Sequence, residues 1–187
     1  MTIVGFDEAG RGPLAGPVSA AAVILPKDFP VEILNDSKKL SEKKRLAAEA
    51  VIKEKAIWGL AFVDHKTIDK MNILHASLYA MKLAFEDLQK KNPGLDLGDL
   101  NGIADGNFVP PELPIECHAV VKADAKFAQV MAASILAKTA RDRLMVEMDK
   151  KYPGYGYSKH KGYPTAAHKA ACHKLGPSPI QRLSFTY

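Results

Sequence analysis

The sequence predicts an α/β fold in which helices flank a mixed β-sheet and a short helical appendage follows at the C-terminus. Short runs rich in β-branched and small apolar residues recur along the chain. The first runs follow one another closely, as antiparallel strands do, whereas the later runs alternate with segments of helical periodicity, as parallel strands do. The sheet should therefore contain both kinds of pairing.

Five strands are expected in order along the chain, each from one apolar run, near residues 3–6, 18–25, 56–63, 100–104 and 116–121. Four helices are expected between and after them. Ser41 and Asn72 are suitable N-caps for the first two helices, and Thr165 for the last. The longest helical pattern, about 126–150, is rich in alanine, which allows close packing on a sheet.

The size and composition of the chain favour a single domain. With 187 residues and 47% hydrophobic content, it can bury a substantial core. After Tyr152 the sequence changes to the turn-rich Pro153-Gly154-Tyr155-Gly156-Tyr157. We therefore expect residues 1–151 to form the catalytic α/β domain, with the basic, tyrosine-bearing segment 152–187 packed on it.

The cysteines and the N-terminus indicate a cytoplasmic protein. Cys117 and Cys172 are far apart and form no Cys-x-x-Cys pair, as expected of reduced thiols that act as core residues. We find neither an apolar run long enough to span a bilayer nor a signal peptide, and so expect no membrane association.

The net charge of +5 is unevenly distributed. Residues 122–187 carry 12 Lys and Arg against 4 Asp and Glu, whereas residues 1–121 carry 14 against 17. A basic part and an acidic part are typical of a protein that binds a polyanion and also holds cations with carboxylates. A basic soluble surface without a nucleic-acid partner is an equally good explanation of the charge alone.

Two acids, Asp7 and Glu8, stand at the end of the first apolar run and are followed by Gly10-Arg11-Gly12. A strand end can hold a carboxylate rigidly, and glycines beside an arginine allow the backbone to approach a phosphate or sugar closely. This layout is typical of a metal and phosphate site. An acidic turn in solvent is the alternative.

Asp105 and Asp124 also stand at the ends of predicted elements. A few convergent carboxylates can hold Mg²⁺, which prefers oxygen ligands, and no zinc-like His or Cys spacing is present. Taken singly, Asp105 can be a turn former before Gly106, and Asp124 a helix N-terminal charge.

Other polar residues have two interpretations each. Ser37 and Lys38 can share a phosphate with the first helix or be solvated. Tyr163 and the lysines around it can bind nucleic acid or form a structural loop. On the long helix, Ser134 and Lys138 can face a substrate, or Arg141 and Asp142 can form a local ion pair. His168 and His173 are expected only at the surface or in packing.

Together, these residues and their order resemble those of one family over nearly the whole chain: ribonuclease HII, the type 2 ribonucleases H. The resemblance lies in blocks that occur in one order, namely Asp7-Glu8-Ala9-Gly10-Arg11-Gly12-Pro13 with Gly16-Pro17, Asp36-Ser37-Lys38-Lys39-Leu40-Ser41, Asp105-Gly106-Asn107, Lys122-Ala123-Asp124, Ala132-Ala133-Ser134-Ile135-Leu136-Ala137-Lys138 with Arg141-Asp142, His160-Lys161-Gly162-Tyr163-Pro164-Thr165, His168 and Arg182-Leu183-Ser184-Phe185. So many blocks in one order make coincidence a poor explanation.

The resemblance implies a ribonuclease H-like fold and a metal-dependent endoribonuclease. Such an enzyme cleaves the RNA strand of RNA/DNA hybrids, and DNA strands at embedded ribonucleotides, leaving 5′-phosphate and 3′-hydroxyl ends. The implied catalytic and metal residues, with two Mg²⁺ or Mn²⁺ ions, are Asp7, Glu8, Asp105 and Asp124.

The substrate-binding residues implied by the resemblance are the backbone of Gly10, Arg11 and Gly12, which would read the ribose 2′-hydroxyl, and Tyr163, which would pack on the sugar. Ser37 and Lys38 are expected to bind a phosphate. We expect the protein to act as a monomer on RNA/DNA hybrid or ribonucleotide-containing duplex DNA.

Three other classes compete with this interpretation. A Holliday-junction resolvase uses a similar set of four carboxylates without a ribose requirement. A silent hybrid-binding module would use only the basic part, but the intact set of acids argues against it. The type 3 ribonucleases H resemble a chain with an added N-terminal domain and lack the block around Tyr163.

Overall fold

The computed structural model describes residues 1–34 and 40–186. Its five strands are β1 (Thr2–Ala9), β2 (Val18–Ile24), β3 (Ile57–Val63), β4 (Leu100–Asp105) and β5 (Glu116–Val120). They form one sheet in the order β3-β2-β1-β4-β5. β1 pairs antiparallel with β2, and β2 antiparallel with β3, while the β1–β4 and β4–β5 pairs are parallel. The predicted mixed sheet is therefore confirmed.

The helices are α1 (Glu42–Lys55), α2 (His65–Met71), α3 (Ile73–Lys91), α4 (Ala128–Lys151), α5 (Tyr157–His160) and α6 (Ala166–Leu175). The four predicted helices correspond to α1, α3, α4 and α6, and three predicted caps are present. The side chains of Ser41, Asn72 and Thr165 each accept a hydrogen bond from the backbone N–H three residues later.

Two short helices, α2 and α5, were missing from the sequence-based prediction. Asp64 caps α2 by accepting the Thr67 N–H, so a cap signal was present in the sequence. α2 ends at Met71, and the positive φ of 66° at the cap residue Asn72 turns the chain directly into α3. A seven-residue helix that shares its boundary residue with the next helix leaves no separate periodic pattern to recognise.

The sheet buries both faces. On β2, Ala20 and Ala22 point to a core shared with α3, and the intervening Ala21 and Val23 point to a core shared with α1 and α4. This alternation follows from the two-residue period of a strand. Two-sided burial also explains why β2 is apolar or small at every position rather than alternating with polar residues.

Gly5 in the central strand allows the start of α4 to lie directly on the sheet. A Cβ at this position would lie 2.3 Å from the backbone carbon of Gln129. We expect Gly5→Ala to lower the free energy of unfolding by about 1–3 kcal/mol, since helix and strand must separate. Thermal unfolding checks this, with Gly94→Ala as the control because a Cβ at Gly94 meets nothing within 4 Å. Equal melting temperatures for the two variants would contradict the close-approach explanation.

The C-terminal segment packs beside the sheet, against the turn that follows β1. Ala15 and Gln181 form an isolated antiparallel bridge, and Ala15 lies in a small core with Met145, Tyr157 and Ile180. At its end, the backbone N–H groups of Leu183 and Ser184 donate to the Asp69 carboxylate of α2. Within the described ranges, no helix is long and apolar enough to cross a membrane.

Candidate active site

Asp7 and Asp105 are neighbours because β1 and β4 run parallel. Phe6 pairs with Ala104, so the residue that follows each of them lies at the same edge of the sheet. Asp7 is buried, with 5% of its surface exposed, and Asp105 is half-buried at the last position of β4. The central strands therefore bring together two carboxylates that are 98 positions apart in the sequence.

Asp124 reaches the same place through a tight turn after β5. Lys122 adopts left-handed backbone angles, and the short 3₁₀ turn Ala123–Ala125 follows it. The Ala123 N–H donates to Oδ1 of Asp105 at 2.7 Å, which ties this turn to the end of β4. One carboxylate oxygen each from Asp7, Asp105 and Asp124 lies within 4.8 Å of the other two.

Glu8 lies beside this group but does not belong to it. Its Oε1 is 3.5 Å from Nη1 of Arg11, an ion pair at the rim of the cavity. The Glu8 backbone N–H donates to Oδ1 of Asp7 at 2.7 Å. The structure therefore brings three of the four predicted acids into one group and places the fourth at its edge, paired with an arginine.

Burial and repulsion between carboxylates raise the pKa values of Asp7 and Glu8, the two acids of β1. Burial raises the pKa of Asp7 well above its usual range, and the neighbouring Glu8 and Asp105 add to the rise, while a hydrogen bond from Ser134 opposes it. Burial also raises the pKa of Glu8, against the opposing effect of Arg11. Ionised carboxylates crowded in this way destabilise one another.

The donor set fits a hard divalent cation. All three clustered groups are carboxylates, and Mg²⁺ and Mn²⁺ prefer oxygen ligands. A cation placed among them would also relieve the repulsion that raises the pKa of Asp7. Burial and spacing of the side chains therefore both suit a metal site.

The predicted substrate residues share one cavity with the acids. The cavity measures about 230 Å³ and is lined by the four predicted acids, the turn 9–12, Ser134, Lys138 and Tyr163. A Cβ at Gly12 would lie 3.6 Å from Cε1 of Tyr163, so the turn and the ring are in contact range. The predicted Ser37 and Lys38 lie outside the described residues.

Stacked histidines hold the backbone of Tyr163. Nδ1 of His168 lies 2.9 Å from the Tyr163 carbonyl, and the Tyr163 N–H donates to the His160 carbonyl at 2.9 Å. The two imidazoles stack with ring centroids 4.4 Å apart. His168 therefore packs inside the protein, as expected, and its contacts hold the backbone of Tyr163 in place.

On α4, the ion pair that forms is Lys138–Asp142, at 2.7 Å, and not the alternative pair Arg141–Asp142. Arg141 instead donates to backbone carbonyls, as does Arg182. Sequence reasoning missed the role of both arginines, since no periodicity distinguishes a buried arginine from an exposed one.

Solved structures share this fold. The chain matches a ribonuclease HII from Archaeoglobus fulgidus, solved in complex with PCNA, with a TM-score of 0.75 and 21% identity over 100% of this chain and 96% of that one. It matches ribonuclease H2 from Pyrococcus horikoshii with a TM-score of 0.69 and 25% identity over 99% and 94%. A Bst-RNase HIII in complex with Mn²⁺ gives a TM-score of 0.73 at 17% identity, over 100% and 67%.

The shared fold and the clustered carboxylates define the class: hydrolases of the ribonuclease H fold. Sequence comparison narrows this class. The family model for Ribonuclease HII matches residues 4–187. The chain is 52% identical to a ribonuclease HII of Dechloromonas aromatica over 98% of this chain and 90% of that protein. It is 51% identical to one of Acetivibrio thermocellus over 98% and 69%.

The chain therefore belongs to the ribonuclease HII family. It is a type 2 ribonuclease H, a hydrolase with endonuclease activity on RNA/DNA hybrids.

Proposed function

We propose that this enzyme is metal-dependent, and that besides the RNA strand of hybrids it cuts DNA strands at embedded ribonucleotides, leaving 5′-phosphate and 3′-hydroxyl ends. One observation carries the proposal. The carboxylate group, the Gly10–Gly12 turn and the ring of Tyr163 line a single cavity. A phosphate over the acids would therefore have its adjoining sugar next to the turn and the ring.

Asp7, Asp105 and Asp124, with Glu8 at their edge, are proposed to hold Mg²⁺ or Mn²⁺. Two such ions supply an activated water and stabilise the leaving 3′-oxygen. The Mn²⁺ in the Bst-RNase HIII structure supports the choice of metal. Because β1 and β4 fix Asp7 and Asp105, these carboxylates would hold the ions at a fixed place at the end of the sheet.

The protein groups around the metals position the sugar. Backbone N–H groups of the Gly10–Gly12 turn can donate to the 2′-oxygen, which distinguishes RNA from DNA. Tyr163 packs its ring on the adjoining sugar, and Lys138 and Arg141 lie 5.8 and 5.9 Å from the ring centroid. Both cations stabilise the ring, and Lys138, which also lines the cavity, attracts the phosphate.

A single chain supplies every group of this proposed site, which supports action as a monomer. Residues 1–151 carry the acids, and the segment 152–187 adds Tyr163. Cys117 and Cys172 form no disulfide in the described residues, in keeping with the expected cytoplasmic location.

The proposed function is tested by cleavage of two matched duplexes. One is a DNA duplex with a single ribonucleotide and the other is its all-DNA twin, each with Mg²⁺ and with EDTA. We expect cleavage of the first duplex only, with metal only, and with the stated ends on mapping. Metal-dependent cleavage of an all-DNA four-way junction would instead identify a resolvase.

We expect duplex affinity to fall steeply with salt, because residues 122–187 are strongly basic. The logarithm of the affinity should fall against the logarithm of salt concentration with a slope of about −0.9 per phosphate contacted. Lys38→Ala should reduce the slope by roughly one contact without changing ribose preference. Fluorescence anisotropy at several salt concentrations measures the slope.

Lys91→Ala is the control for this measurement. The ammonium of Lys91 binds Asp87 at 2.6 Å, at the end of α3 opposite to the one near Glu8 and Asp105. We expect it to leave the slope unchanged. An affinity of the unmodified enzyme that barely responds to salt would argue against a polyanionic substrate.

A further inference from the structure

Two arginines are among the largest fully buried side chains of the protein. Arg141 is 1% exposed and Arg182 is 0% exposed. In the part of the chain that the structure describes, no carboxylate lies within ion-pair distance of either guanidinium. A buried cation without a carboxylate is costly unless its N–H groups are satisfied in another way.

Backbone carbonyls satisfy them instead, and nearly all of these belong to the turn after β1. Arg182 donates to the carbonyls of Gly10 (2.6 Å), Arg11 (2.9 Å), Gly16 (2.9 Å) and Pro17 (3.1 Å). Arg141 donates to the carbonyls of Ala15 (3.1 Å), Pro17 (2.8 Å) and Lys161 (2.9 Å). The two side chains thus turn the carbonyl groups of residues 10, 11 and 15–17 inward.

Turning a carbonyl inward fixes the direction of the next N–H. In a planar trans peptide the C=O and N–H bonds point in opposite directions. Because the Gly10 and Arg11 carbonyls point at Arg182, the N–H groups of Arg11 and Gly12 point away from it. No described residue accepts a hydrogen bond from either N–H, and both residues line the catalytic cavity.

The backbone of the turn lies so close to Arg141 that this side chain has no room for another arrangement. Gly10 has a φ of +96°, and a Cβ there would lie 2.1 Å from Nε of Arg141. Burial lowers the pKa of both guanidiniums, and the nearby Arg141 lowers that of Arg182 further. Two cations of like charge are therefore held together behind the turn, where their field strengthens the outward N–H donors.

We propose that Arg141 and Arg182 are positioning residues for ribose discrimination: by holding the carbonyls of residues 10, 11 and 15–17 inward, they aim the Arg11 and Gly12 N–H groups at a sugar hydroxyl. This inference rests on the proposed function, in which the turn contacts the 2′-oxygen. Neither arginine touches the substrate. Both act through the backbone of the turn.

Arg182→Lys tests the inference, because lysine keeps the charge but its single ammonium cannot span four carbonyls. The measurement is affinity in EDTA, where no cutting occurs, for the one-ribonucleotide duplex and its all-DNA twin. We expect the ratio of the two affinities to fall on the order of tenfold, the scale of one lost hydrogen bond, with all-DNA affinity unchanged. Arg141→Lys should act in the same direction.

Arg143→Lys is the matched control. Arg143 lies on α4 two residues from Arg141 but binds the Glu49 carboxylate at 2.7 Å. The ratio of the two duplex affinities of Arg143→Lys should equal that of the unmodified enzyme. Melting temperature and Mn²⁺ affinity by calorimetry are measured for every variant, because a merely structural role would change these rather than the ratio.

The outcomes separate the two hypotheses. If the unmodified enzyme binds both duplexes equally, the proposed ribose reading is refuted and this inference with it. If it prefers the ribonucleotide and Arg182→Lys retains the full preference, only the inference is overturned. Should Arg182→Lys fail to fold, Arg141→Lys provides the test by the same ratio, because it too removes hydrogen bonds to the turn, at Ala15 and Pro17.

Discussion

Asp7→Asn is expected to reduce cleavage on the order of 10²–10³-fold or more, as the loss of one essential electrostatic group does in an active site. The substitution nearly preserves the shape of the side chain while removing a charged oxygen ligand. Duplex affinity should be retained or increased, because a negative charge next to the phosphates is lost. Turnover and affinity, measured side by side, test this. Near-normal turnover of Asp7→Asn or Asp105→Asn would refute the metal-site proposal.

The same substitution should stabilise the metal-free protein at neutral pH. The pKa of Asp7 is raised in the folded state, so its contribution to stability is fully present below the unfolded pKa and is lost as pH rises through the folded one. Asn avoids this loss. A gain of about 1 kcal/mol in unfolding free energy raises the melting temperature by roughly 2–4 °C in a chain of this size.

Thermal unfolding between pH 4 and 8 in EDTA measures the effect, which should shrink toward pH 4. Asp28→Asn is the control, because Asp28 is exposed and follows the end of β2 opposite to Asp7. Added Mg²⁺ should stabilise the unmodified enzyme and have little effect on Asp7→Asn. A melting temperature of Asp7→Asn below that of the unmodified protein at neutral pH would contradict the repulsion argument.

Tyr163→Ala is expected to slow single-turnover cleavage of a one-ribonucleotide duplex on the order of 10²-fold, the cost of misplacing reacting atoms by ~1 Å. The ring lies against Gly12 and its backbone is fixed by His160 and His168, so the residue is held firmly where the proposed site places the sugar. The affinity and the metal dependence of Tyr163→Ala should be nearly unchanged. The cleavage rate of Tyr163→Phe should lie between those of the alanine variant and the unmodified enzyme.

Tyr155→Phe is the matched control for the phenylalanine variant. The Tyr155 hydroxyl donates to the Gly176 carbonyl at 3.1 Å, and the residue does not line the catalytic cavity. Its cleavage rate should equal that of the unmodified enzyme. An alanine variant at Tyr163 as fast as the unmodified enzyme would leave the glycine turn to account for discrimination alone.

The sheet was predictable because its signals are local. Each of the five apolar runs predicted one strand. The spacing of these runs and of the helices between them predicted both antiparallel and parallel pairing. β4 extends one residue beyond its predicted end, to Asp105, because its pairing with β5 continues to that position. The helix α2 was missed because a cap signal at Asp64 followed by one helical turn or two is too short for periodicity to show.

The sequence predicted acids at the ends of elements, but not the residues that support them. Asp105 is the last residue of β4 and Asp124 follows β5, whereas Asp7 lies inside β1, which continues three residues beyond its predicted end, to Ala9. The parallel pairing of β1, β4 and β5 brings the three acids to the same end of the sheet. The roles of Arg141 and Arg182 depend on contacts over 124 and 172 positions, to the carbonyls of Pro17 and Gly10. No local pattern encodes such contacts, and only the resemblance marked the blocks that contain these arginines.

The bond from Arg182 to the Gly10 carbonyl has a consequence for biosynthesis. The turn leaves the ribosome before the arginine that binds it, which is 172 positions later in the chain. Until then the turn can find neither this arginine nor, at first, β4, the parallel neighbour of β1. A nascent chain therefore carries an incomplete cleft until the segment that contains Arg182 is released and docks.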